Sequence, residues 1–349
     1  MIAAAVKLAA AVLLLCASAQ ALTFDFDDIA RVESYRRISI DVCDMRESFG
    51  IRDFADVQDV YENGRHAIRS NGTKRIPRDV AVRDYTGEKF YDDMIAYGFP
   101  ASAWGLWVGP VVYGTTPYVK TGPRVEAGKS WARAYHVLYI LHEAHAGLKN
   151  AEAAVLTTDA AAADTLWDHA VEEIEDAYGV FLGVGACAPS RFAKSISPEN
   201  SEKFTNAMVA ARNAGRAKNI VLLRTTLQRA VDALTVICLK ATEVAVKSPV
   251  SAPIKWPLAA ASLSDNYGLN TTQIALQTAV MRVAAAAFPF FKAVEAYVGT
   301  LAPEPTARML AYLNHNCAPN DCPPQAGLAN SIASDLKLIA ESNGLEYDV

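Results

Sequence analysis

From residue 125 onward the chain is built of Ala-rich stretches whose apolar residues recur every three to four positions. Only an α-helix turns that spacing into one buried face. The spacing predicts helices over 125–150, 161–182, 201–214, 219–246, 271–301, 305–314 and 327–342. Local signals set their ends. Asp159 or Asp164 can cap the second helix and Gly183 can stop it, while Ser201-Glu202 opens the third and Gly215 closes it. Pro289 falls inside 271–301, where it removes a backbone donor and should kink or split the helix. Long helices with short connections make an antiparallel bundle, so the expected fold is all-α. Residues 22–124 read differently. They are rich in Tyr, Trp, Gly, Pro and Asp, with breaks at Gly64, Gly72, Gly87, Gly98-Phe99-Pro100 and Gly109-Pro110. Short helices and loops packed on the bundle 125–349 are expected there, with some extended chain near Trp107-Val108 and Val111-Val112-Tyr113. With 52% apolar and 20% charged residues, disorder is excluded.

Residues 1–21 read as a secretory signal. Lys7 precedes an apolar run from Leu8 to Cys16 that is too short to span a bilayer, and Ala19-Gln20-Ala21 supplies a small-x-small cleavage site. Leu15 stands where a lipoprotein signal carries a small residue, so Cys16 is not a lipid anchor. No second segment reads as a membrane span, because the long apolar stretch 219–246 carries Arg224, Arg229, Asp232, Lys240 and Glu243. A net charge of −5 argues against nonspecific nucleic-acid binding, which needs a basic face to displace counterions. The expected location is the periplasmic space, the cell surface or the medium. Cysteine use is then informative: Cys43, Cys187, Cys238, Cys317 and Cys322 follow the signal. Cys317 and Cys322 enclose a turn-forming Ala-Pro-Asn-Asp and suit a local disulfide, which leaves Cys43 with Cys187 as the second pair. Cys238, in an apolar helix, reads as a buried free thiol. Asn71 and Asn270 head glycosylation sequons.

Three of the six histidines fall within ten residues, at His136, His142 and His145. At about 100° per residue, Trp131, Tyr135, Tyr139 and His142 share one helix face, with Glu143 and His145 beside it. Imidazole, carboxylate and phenolate are ligands for iron, zinc or copper; the same pattern also suits an aromatic core face with a hydrogen-bonded histidine. The spacing is not that of a zinc peptidase, which needs four residues from the first His to the second. On the next helix, Trp167, Val171, Ile174, Tyr178 and Phe181 form the apolar stripe, and Asp168, Glu172 and Glu175 run beside it. That acidic stripe is either a solvated rim or half of a site for a hard cation, with His142 facing Asp168 or Glu172 across the interface. Arg224 and Arg229 can hold an anion or form surface ion pairs, and Lys240 with Glu243 is an i,i+3 pair. Neither a phosphate-binding Gly loop nor a nucleophile elbow nor a Cys-x-x-Cys motif occurs.

The stretches Trp167-Asp168-His169-Ala170-Val171 and Ala177-Tyr178-Gly179-Val180-Phe181-Leu182-Gly183 resemble the Trp-Asp-Glu helix of algal iron-assimilating periplasmic proteins. That family is related to the high-CO2-inducible secreted proteins of green algae and to phytotransferrins. Further likeness lies in Ile220-Val221-Leu222-Leu223-Arg224-Thr225-Thr226-Leu227, in Lys240-Ala241-Thr242-Glu243 and in the pair Cys317 and Cys322, over roughly 167–345. His169 replaces the acidic third residue of the motif, and Thr225-Thr226 replaces a Gly-containing pair. The resemblance implies secretion, a helical fold and non-catalytic capture of ferric iron, handed on to a cell-surface uptake receptor or a ferrireductase. It implies Asp168 and Glu243 as ligands, and carbonate as a synergistic anion held by Arg224 or Arg229. Tyr139, His142, Glu143, His145 and Glu172 join the metal set on their own chemistry. Two other readings stand beside this one. One is a coat-type surface glycoprotein without metal chemistry. The other is an imelysin-like secreted peptidase, against which His136-x-x-Tyr139 and His142-x-x-His145 both lack the glutamate of the His-x-x-Glu pattern.

Overall fold

The Ala-rich part of the chain folds as a stack of long helices in the computed structural model, which describes residues 26–83, 89–99, 103–119, 121–247, 271–313 and 328–347. The helices are α1 (Ile29–Arg36), α2 (Ile38–Ile51), α3 (Phe54–Asn63), α4 (Pro77–Val82), α5 (Lys89–Ala96), α6 (Ala103–Tyr113), α7 (Thr121–Leu156), α8 (Ala160–Leu182), α9 (Pro189–Ile196), α10 (Pro198–Arg216), α11 (Ile220–Lys247), α12 (Thr271–Lys292), α13 (Glu295–Gly299), α14 (Pro303–Tyr312) and α15 (Leu328–Ser342). Among the described residues there is no strand, only an isolated bridge between Ile68 and Lys74. The expected leader, Asn270 and the Cys317–Cys322 pair lie outside the described residues.

Capping fixes the ends of α8 as the sequence foretells, whereas α10 opens at Pro198, ahead of Ser201-Glu202, and runs through Gly215 to Arg216. The Asp159 carboxylate accepts from the Ala162 N–H at 2.9 Å and opens α8, and Gly183 closes it at φ +56, a region L side chains avoid. Proline occupies the first turn of α4, α9, α10 and α14, where its missing N–H is no loss. The segment around Pro289 does split. The helix runs on to Lys292, breaks at Ala293-Val294 and restarts as α13. One expectation fails locally. The chain near Trp107–Tyr113 is helical, because Trp104, Val108, Val111 and Val112 are all buried at helical spacing and their packing outweighs the cost of Pro110. Helix α9 was hidden by its length of one short amphipathic turn pair.

Helices α7 and α8 make the most extensive contact; α10 packs on α8, α12 on α7, and α11 on α10, α12 and α7, while α1 packs on α8 and α2 on α7. A ring cluster of Trp104, Trp107, Trp131 and Phe288 fills the space between α6, α7 and α12. The Cys43–Cys187 disulfide ties α2 to the turn after α8, and Cys238 is a buried free thiol, its pKa pushed up to about 12 by burial. The α7–α8 contact is close because of Gly147. A Cβ there would stand 2.9 Å from the Ala170 carbonyl oxygen and 3.1 Å from Ile174 Cγ1. Backbone cannot yield as a flexible side chain can, so Gly147→Ala should push the two helices apart and cost about 1–3 kcal/mol, read as a lower midpoint in thermal or denaturant unfolding.

Candidate metal centre

The same close approach brings carboxylates from the two helices together. Glu143 lies one turn before Gly147 on α7, and Glu173 and Asp176 sit on the facing side of α8. Oxygen atoms of all three converge within 4.8 Å of one another. Glu143 and Asp176 are buried, at 3% exposure each, and Glu173 is half-buried. Asp176 receives Arg31 on one oxygen, while its other oxygen, Oδ1, is buried without a hydrogen-bond partner. An orphaned carboxylate oxygen inside a protein is costly and points to a missing partner.

Aromatic and cationic side chains wall the cluster. The Tyr139 ring stacks on His142 at 6.3 Å and meets Tyr35 of α1 at 5.8 Å. Arg75 lies over the Tyr35 ring, its Cζ 3.3 Å from the centroid, and donates to the Tyr139 hydroxyl at 3.3 Å and to the Ser34 hydroxyl at 2.9 Å. His142 Nε2 is 3.9 Å from Glu143 and 3.2 Å from Arg83, whose guanidinium can only donate, so that nitrogen is the acceptor.

Burial dominates the proton affinities. Desolvation raises the Glu143 pKa well above the carboxylate range, and a shared hydrogen bond with Glu173 and the charges of Glu173 and Asp176 raise it further. Burial pushes Asp176 up to about 8, with Glu173 adding to it, against Arg31, the Tyr35 hydroxyl and Arg75. Tyr35 and Tyr139 are raised as well, by burial first and by Glu143 next. The folded chain therefore holds a proton on Asp176 at pH values where the unfolded chain, titrating near 3.9, has lost it. Stability associated with this group is present below pH about 4 and is lost as pH rises through about 8. The metal-free protein should be more stable at pH 5.5 than at pH 8.5, by up to about 1.4 kcal/mol per pH unit for each proton held. Asp176→Asn should flatten that slope in urea titrations; a wild-type profile that is already flat would contradict the assignment.

Of the residues singled out in the sequence, Tyr139, His142 and Glu143 come together here. His145 is half-buried outside the carboxylate group. Asp168 and Glu172 do not face α7. Both are exposed, and Glu172 bonds His169 on the outer surface at 3.1 Å. Glu175 is buried but bound to Arg212 at 2.7 Å and to Arg31 at 3.3 Å. Glu243 accepts from the Tyr347 hydroxyl at 2.6 Å and from Lys247, and Lys240 lies over the Tyr347 ring instead of pairing with it. Arg224 pairs with Glu152 at 2.8 Å on the surface, and Arg229 is exposed on the same helix at the rim of a cavity of mixed lining. Asn71 is exposed in a tight turn, accepting from the Thr73 N–H and hydroxyl. His136 is a core residue, held neutral by burial at a pKa of about 3.

Glu173, Asp176, Tyr35, Arg31 and Arg75 escaped the sequence reading. For the first two a signal existed: they stand at i and i+3 on α8 and carry the acidic arc of Asp168 and Glu172 further round the helix. For Tyr35, Arg31 and Arg75 none did, because they arrive from elements far away in sequence. Comparison with known protein families, with curated proteins and with solved structures finds no match for this chain. Among the described residues, no helix is long and apolar enough to cross a membrane.

Proposed function

We propose that this protein is a secreted, non-catalytic carrier that captures ferric iron outside the cell for delivery to a surface uptake receptor or a ferrireductase. One observation carries the reading: three carboxylates from two helices converge within 4.8 Å, two of them buried, with the Asp176 Oδ1 oxygen lacking any partner. Three oxygen donors with phenols alongside are a hard ligand set, which suits ferric iron better than copper or zinc. Glu143, Glu173 and Asp176 would be the protein ligands, with Tyr139 next to them. His142 joins only if Arg83 releases its Nε2. A cation would supply the positive charge that burial denies to Glu143 and Asp176 and so compete with the protons they hold, so binding displaces protons and weakens in acid. The carbonate role inferred from the resemblance falls here to Arg75 and Arg31, which stand at the cluster, and not to Arg224 or Arg229.

The test is loading of the metal-stripped full-length protein with ferric nitrilotriacetate at pH 7.5. One iron per chain is expected after desalting, with a visible phenolate-to-iron absorption band if Tyr139 or Tyr35 coordinates. Retention of no iron, together with a melting temperature indifferent to the metal, would discard the carrier reading and leave a surface scaffold protein.

A further inference from the structure

A second constellation lies toward the start of α7, well separated along the helix from Glu143. A cleft of about 320 Å³ opens between α2, α7, α9, α11 and α12. Four cations line it, Arg46, Lys129, Arg133 and Arg282, against a single acid, Glu126. That acid takes Arg282 at 3.1 Å and Lys129 at 3.9 Å. Arg46 and Arg133 are left without a carboxylate partner among the described residues. Arg46 points a nitrogen at the Cys187 sulfur, 2.9 Å away, a weak acceptor, and has exposed Glu47 as its acidic neighbour in sequence. Arg133 rests over the Phe192 ring at 4.7 Å. The Nε atoms of Arg46 and Arg282 are both buried without an acceptor. Burial, and then the charge of Arg46, hold Arg133 down to about 10, the sign of two guanidinium groups sharing one poorly hydrated place. The facing wall, made by Val244, Ala245, Ala286 and Phe290, is apolar.

Half-buried guanidinium groups that repel one another, have no carboxylate partner among the described residues and border an apolar wall make a receptor for an amphipathic anion. We propose that this cleft binds a small organic anion whose oxyanion head is seated between Arg46 and Arg133 and whose short apolar body lies against Val244 and Phe290. The site is separate from the carboxylate centre and does not depend on the iron reading. An oxyanion there receives charge-assisted hydrogen bonds and removes the repulsion between the two arginines. The cleft sits at the lower end of the size range of small-molecule pockets, roughly 300–1,000 Å³, so the body is short.

Calorimetric titration of the full-length protein tests this with decanoate as the probe, 1-decanol as a body without a head, and inorganic phosphate as a head without a body. Decanoate should bind saturably at one per chain, with decanol and phosphate each at least about tenfold weaker. Arg133→Gln should weaken decanoate at least about tenfold while leaving ferric loading unchanged. Should that variant fail to fold, Val244→Asp, at an exposed position beside the apolar body, carries the test with the same expected loss. Phosphate binding as tightly as decanoate, decanoate affinity that ignores both substitutions, or no saturation would each overturn the proposal.

Discussion

Glu143→Gln is expected to abolish ferric uptake while leaving the metal-free protein at least as stable as the wild type. Ordinarily a substitution at a side chain 3% exposed destabilises, so the combination is diagnostic. The reason lies in what Glu143 does in each state. Without metal, burial and the neighbouring Glu173 and Asp176 keep it protonated, and it shares a hydrogen bond with Glu173. Glutamine has the same shape, keeps a donor for Glu173 and carries no charge to bury, so nothing is lost and one titrating group is removed. With metal, the same change deletes an anionic ligand from a set of three, and the remaining pair faces an amide in place of a carboxylate. Loss of affinity should exceed about a hundredfold, the upper end of what removal of a mere supporting partner costs. Iron retained per chain after desalting, together with the melting temperature of the stripped variant, reads both halves. Wild-type iron content in the variant would end the assignment; a collapse of the fold would show that Glu143 is structural.

Why α7 betrayed its half of this site and α8 did not is a matter of helix rotation. On α7 the chemistry-bearing residues Tyr139, His142 and Glu143 sit on the aromatic face that any packing must bury, so the face alone named them. On α8 the acids form one broad arc, in the order Glu175, Asp168, Glu172, Asp176 and Glu173 round the helix. Which end of that arc meets α7 depends on the crossing of the two helices, and that is set by Gly147 admitting the Ala170 carbonyl and by Arg212 of α10 claiming Glu175 from the other side. Neither contact can be read from the periodicity of one helix. The long helices themselves were legible to within a few residues because Asp159, Gly183 and the helix-opening prolines act locally. Short helices were expected over 22–124 but could not be placed one by one, because their helicity comes from burial, as at Trp104 and Val108 against α7, and not from propensity.

Removing the Cys43–Cys187 bond should lower stability by about 2–5 kcal/mol, among the largest effects of any change that deletes no core side chain. The bond joins positions 144 residues apart, so its loss frees a long loop in the unfolded chain. It also anchors α2 to the turn after α8, and with it the N-terminal helices that supply Arg31 and Tyr35 to the carboxylate centre. Denaturant midpoints of the oxidised protein and of the Cys43→Ala/Cys187→Ala variant measure the difference; a midpoint that does not move would show that packing alone holds these helices. Buried Cys238, its thiol shifted up to about 12, offers no thiolate for exchange with the bond. A structural cross-link of this kind persists outside reducing compartments and is lost inside them. Protein taken from its native source and alkylated before unfolding should therefore show Cys43 and Cys187 protected. Free thiols at both positions would contradict the secreted location on which the carrier reading depends.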